Sequence, residues 1–169
     1  MTLFLLVIIL VGNVFTLAQR AYNSGAVRNE LTQNARVFFD RVSRELRQAT
    51  TVITDVSLAT SSIMFQDGHE SDYISYIRYY LVGTDLYRSH IVYHFGSWPV
   101  DPDQYQRYGA IDDTWGIEAT PWELKNQLIG EYFDDISFLG VNGLVTITAD
   151  LSKGATDMRF STKTYVRNQ

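Results

Sequence analysis

Apolar residues open the chain as a block and then thin into a stripe. Residues 1–18, MTLFLLVIILVGNVFTLA, carry no charge, and all but Thr2, Gly12, Asn13 and Thr16 are apolar. As a helix this segment spans about 27 Å, slightly short of the ~30 Å hydrocarbon core of a bilayer. A secretory signal would need a basic start and a small-residue cleavage site, and neither is present. A buried core helix would need an equally apolar partner, which no later segment offers. The block is therefore expected to be a membrane anchor, with Leu3, Phe4, Leu6, Ile9, Val11, Phe15 and Leu17 facing lipid or sister helices. Asn13 within it is either a packing or unwinding point, since a buried amide wants partners, or a polar residue tolerated near one end.

After Arg20 the pattern changes. Asn23, Ser24 and Gly25 weaken a helix, and the spacing predicts a kink there or a restart with Ser24 as cap. Apolar residues then fall at Val27, Leu31, Ala35, Phe38, Val42, Leu46 and Ala49, in steps of three and four that define one helix face. Leu31, Ala35, Phe38, Val42 and Leu46 are expected to pack this helix on the protein's own sheet. On the polar face Asp40 and Arg44, and Arg41 and Glu45, are spaced four apart, as solvated ion pairs would be.

Past residue 50 the period shortens to that of strands. Segments 50–56, 61–67, 72–83, 85–94, 132–152 and 157–167 read as strands, with Asn142-Gly143 as a hairpin turn and Gly83 joining two others. The segment 97–130 is long and aromatic. Thr120 as cap and Pro121 in the first position predict a short helix over its end, WELKNQLI. The fold class expected is α+β: a long N-terminal helix, embedded in a membrane over 1–18 and amphipathic over 19–50, packed on antiparallel sheet in a β-rich domain over 51–169.

Charge sharpens the division. Residues 1–50 hold six arginines against Glu30, Asp40 and Glu45, whereas the remainder holds 8 basic and 16 acidic residues out of the chain's totals of 14 and 19. An acidic body argues against a nucleic-acid partner. With no cysteine, disulfides and thiolate chemistry are excluded.

The stretches ELTQNARVFFDRVSRELRQA (30–49), YYLVGTDLYR (79–88) and the terminal YVRN (165–168), taken with the anchor, resemble the type IV pilin and pseudopilin superfamily. The nearest group is the minor pilins that include the J-type pseudopilin of type II secretion. The resemblance implies a filament subunit, minor and located at the tip or priming assembly. Its partners would be other pilins or pseudopilins through the N-terminal helix, an inner-membrane assembly platform and membrane lipid. It also implies a single-pass location in the cytoplasmic membrane with the body outside it, and no enzymatic activity. Family members begin, after cleavage of a basic leader by a prepilin peptidase, with aromatic-Thr-Leu-x-Glu. Here MTLFL has Leu5 in place of that glutamate. Either Met1 is the mature first residue of an unusual member lacking the acidic group, or the chain starts inside the natural helix with the leader upstream. The short anchor favours the second, and the peptidase is a partner only if that leader exists. The competing class is a membrane-anchored extracytoplasmic binding or sensor domain that uses the helix as a stalk.

Candidate chemistry is sparse. His90 and His94 have the i, i+4 spacing of a helical metal pair, but on a strand they stand about 13 Å apart, so no metal is expected there. Asp101, Asp103, Asp112 and Asp113 are candidate oxygen ligands for calcium, against the alternative of a solvated loop lacking the glycine of an EF-hand. No nucleophile elbow or phosphate-binding glycine loop occurs. Trp98, Tyr105, Tyr108, Trp115 and Trp122 crowd the long loop. Trp98, Tyr105, Tyr108 and Trp115 mark it as the partner-facing surface, although at least half of these rings are expected to fold back onto the sheet.

Overall fold

The computed structural model describes residues 2–69, 72–96 and 101–166, with side chains at Phe4 and from Val7 onward. One helix, α1, runs without interruption from Thr2 to Gln48. The restart expected at residues 23–25 does not occur: the helix continues through them, and the Ser24 hydroxyl donates to the Ala21 carbonyl within the same helix. A serine bonded back to its own helix no longer competes as a cap.

Among the described residues eight strands follow: β1 (Thr51–Val52), β2 (Ile63–Gln66), β3 (Tyr76–Val82), β4 (Asp85–His94), β5 (Thr120–Gly130), β6 (Phe133–Val141), β7 (Leu144–Lys153) and β8 (Thr156–Tyr165). They form two antiparallel sheets, one ordered β1-β2-β3-β4-β5 and the other β6-β7-β8. Tight turns set the register. Asn142 and Gly143 both take positive φ, 51° and 75°, as a type I′ hairpin turn requires, and Gly83 does the same between β3 and β4. The segment before β2 ties the sheets together, because Thr60 bridges to Phe138 of β6 and the Gly140 N–H donates to the Val56 carbonyl.

The helix expected over 121–129, with Thr120 as its cap, is instead part of the edge strand β5. It pairs with β4 from His94↔Thr120 to Leu86↔Gly130. The free edge of β4 offered unsatisfied backbone groups along its whole length, and pairing them outweighed the Thr-Pro start signal. Pro121, which lacks an N–H, fits the start of an edge strand.

The second half of α1 is gripped by both sheets. Leu31, Ala35, Phe38, Val42, Leu46 and Ala49 are all buried, against Ile63, Phe65, Ile77, Tyr79 and Leu86 of the larger sheet and Phe133, Phe138, Val145 and Ile147 of the smaller. The opposite face of the larger sheet carries a separate cluster of Tyr76, Ile91, Tyr93 and Ala119, covered by the loop before β5. The body is thus layered as helix, sheet and loop.

The C-terminal end of α1 meets the turn after β2 at Gly68. A Cβ there would overlap the Gln48 carbonyl oxygen. Gly68→Ala is expected to cost about 1–3 kcal/mol by overpacking, read as a lower denaturation midpoint.

Candidate interaction surfaces

The most distinctive surface is the first half of α1. From Phe4 to Ser24 every described side chain is exposed; Val27 packs against the edge of the core, and Leu31 is the first to be buried. The projecting part displays large apolar side chains: Phe4, Ile9, Val11, Phe15 and Leu17 are each at least 60% exposed, with Val7, Ile8, Leu10 and Val14 between them, and Asn13, Thr16, Gln19 and Arg20 exposed among them. Leu3 and Leu6 belong to this set by sequence, but their side chains lie outside the described residues. Among the described residues no helix is long and apolar enough to cross a membrane. Asn13 faces outward in this rod, and its backbone carbonyl accepts the Thr16 hydroxyl at 2.9 Å.

Where the rod enters the body its direction is pinned. Lys153 of β7 donates to both Glu30 carboxylate oxygens at 2.6 and 2.7 Å and to the Tyr132 hydroxyl at 2.9 Å, with its ammonium 4.2 Å from the Tyr132 ring centre. Tyr132 holds a positive φ of 71° between β5 and β6, which aims its ring at the neck. Asn34 adds a hydrogen bond to the Glu131 carbonyl. Both charges are partly exposed, so Lys153→Ala is expected to lower stability by under ~1 kcal/mol. Its main expected effect is on the rod's angle, read by spin-label distances between rod and body.

A second constellation joins α1 to the larger sheet. Glu45, read from sequence as one member of a solvated pair with Arg41, lies instead at the helix–sheet seam. Its side chain is only 17% exposed. The Arg88 Nε donates to its two oxygens at 3.0 and 3.1 Å, the Tyr79 hydroxyl donates at 2.6 Å and the Arg41 Nε at 3.3 Å. Arg41 also donates to Gln127 of β5. Burial first, and then the Glu45 charge, push the Tyr79 hydroxyl well above the ordinary tyrosine range. For Arg88, burial disfavours the cation, but the bond and charge of Glu45 more than restore it. A cleft of about 290 Å³ beside this group is lined by Arg44, Gln48, Asp67 and His69 among others. Donors from α1, β3 and β4 converge on the one carboxylate, so the group acts as a clasp.

The loop before β5 divides its aromatic residues. Tyr105 packs edge-on against Tyr73 at 5.3 Å, and Tyr108 against Tyr93 at 5.4 Å, with the Tyr108 N–H donating to the Tyr76 hydroxyl. Trp115 stands out at 76% exposure, flanked by exposed Ile111 and Ile117, while Trp122 on β5 is 38% exposed. Trp98 lies outside the described residues. Trp115→Ala is expected to shift stability by no more than ~0.5 kcal/mol, a null result in thermal denaturation that separates a display residue from a packing one.

Asp112 uses its carboxylate locally, accepting from the Thr114 and Trp115 N–H groups at 2.7 and 3.1 Å. Asp101 precedes a 3-10 turn over Pro102–Gln104 that includes Asp103, and Asp113 is exposed beside Asp112. His94 is buried on β4 opposite Thr120, its Nδ1 without a hydrogen-bond partner, and His90 lies on the same strand where the pairing with β5 shifts register. Among the described residues no three His, Asp or Glu side chains lie together in a way that could hold a metal ion.

Sequence reasoning missed the Glu45 clasp and the neck lysine, whose partners are 34, 43 and 123 residues apart. Compared with protein-family models, curated proteins and solved structures, the chain matches none.

Proposed function

We propose that this protein is a structural subunit of a type IV pilus-like or type II secretion filament, of the minor pilin or pseudopilin kind. The observation that carries this reading is a single unbroken helix that exposes many large apolar side chains where it stands free and buries one face where both sheets grip it. The free part suits a membrane span before assembly and a bundled filament core afterwards. Either setting removes its apolar area from water at roughly 25 cal/mol per Å². The body then stands outside the cytoplasmic membrane and forms the filament surface.

The test is the N-terminal peptide of the native protein, taken by mass spectrometry from isolated membranes and from sheared surface filaments. An N-methylated residue left by leader cleavage, present in both fractions, supports a filament subunit. An unprocessed terminus confined to membranes overturns it in favour of an anchored extracytoplasmic binding domain. A Phe15→Lys variant adds a second readout. A charge in the middle of the rod costs about 2.5–3.5 kcal/mol in a bilayer, and membrane retention is expected to fall accordingly.

A further inference from the structure

The body carries opposite charge on its two outer layers. On α1, a turn of 3.6 residues places Arg36, Arg44 and Arg47 on the side away from the buried stripe, with only Asp40 among them. All four are exposed. Exposed Lys163 and Tyr165 of β8 adjoin this face, and two open clefts of about 450 and 250 Å³ meet at Arg47. On the far side of the larger sheet, residues 101–123 hold six acidic side chains against the single base Arg107. Exposed Trp115, Ile111 and Ile117 form an apolar tip within that acidic layer.

We infer that a second copy of this chain seats its acidic loop, Trp115 foremost, on the arginine face of α1. Charge complementarity selects this occupant: the chain carries both halves of the contact, and each half repels its own kind. Lipid is the other anionic candidate for the arginines. Arg36 lies about 27 Å along the helix from residue 18, well beyond the ~8 Å over which a charged membrane surface acts in physiological salt. Since the two halves lie on opposite sides of one body, the contact is heterologous. It leaves a free arginine face on one copy and a free loop on the other, each open to a further subunit unless a rotation closes the pair. This inference rests on the filament-subunit reading and adds to it a contact between bodies that is independent of the rod.

The chain lacks cysteine, so introduced thiols are unique. Full-length Gln48→Cys and Thr114→Cys proteins, mixed in detergent micelles, are joined with a short thiol-reactive cross-linker. Mixed dimers, linking position 48 of one copy to position 114 of the other, are expected in excess over either self-pair. Reversing Arg36, Arg44 and Arg47 to Glu is expected to cut the mixed product about tenfold. Combining that protein with one carrying Asp113→Arg and Glu118→Arg is expected to restore it, which also shows that both variants are folded. Equal yields for all pairings, or no recovery on charge exchange, overturn the inference. Association that persists in those variants and is lost only with Phe15→Lys leaves the filament reading standing while this contact falls. If the wild type does not associate at all, the contact falls, and the filament reading is decided by its own N-terminal test.

Discussion

Phe38→Ala is expected to lower the stability of the body by about 3–5 kcal/mol, the largest loss from any single truncation of the helix face. Phe38 is fully buried, and its ring meets Phe39, Tyr79, Phe133 and Phe138 at centroid distances from 5.1 to 6.5 Å. Those neighbours come from α1, the larger sheet and the smaller sheet, so the ring joins the helix to both sheets. Three of the four contacts are edge-on, the geometry aromatic pairs prefer. Removing the ring leaves a cavity that rigid strands on two sides cannot collapse to fill. A drop of roughly 6–20 °C in melting temperature is expected, by calorimetry in detergent. Phe38→Leu, which keeps most of the volume, is expected to recover more than half of the loss. A shift within error for Phe38→Ala would mean that the sheets do not grip the helix here.

Glu45→Ala is expected to cost about 3 kcal/mol by a different route. It leaves Arg88, whose side chain is only 12% exposed, as a charge without its counterion, and it strips the Tyr79 hydroxyl of its acceptor. Breaking a buried pair is worse than never having built it. Glu45→Gln keeps an acceptor oxygen and is expected to lose less. The same clasp sets an alkaline limit. The fold raises the Tyr79 pKa above its unfolded value of about 10, so the native state holds the neutral phenol. That contribution is fully present below about pH 10 and is lost as the pH rises further, because the unfolded chain then gains by ionising. Denaturation midpoints measured from pH 8 to pH 11 are expected to fall at the upper end in the wild type. The fall is expected to be shallower in Tyr79→Phe.

What the sequence disclosed and what it hid follow from the range of the forces involved. The stripe from Leu31 to Ala49 is legible because a helix face is a local matter, fixed by spacing alone, and every one of those residues is buried. Asn142-Gly143 is legible for the same reason, since two positive φ angles select those residues. The strand β5 was illegible because Thr120, Pro121 and the residues after them favour a helix locally, and only the distant edge of β4 overrules them. Bulges at Leu86/Tyr87 and His90/Ile91 further blur the alternation that marks a paired strand. Glu45 looked like a surface residue because its helical neighbour Arg41 is a sufficient partner. Nothing within ten residues announces Arg88 or Tyr79.

The continuity of α1 through residues 23–25 has a mechanical consequence. A pull along the rod reaches the body as shear on the seam between helix and sheets, parallel to the row from Leu31 to Ala49. Under shear these side chains resist together, and the neck and the clasp bear load at the same moment. A hinge at Ser24 would have let the helix swing and peel away one turn at a time, each contact failing alone. The unbroken rod therefore makes the body a stronger grip under tension than its contacts taken singly would provide.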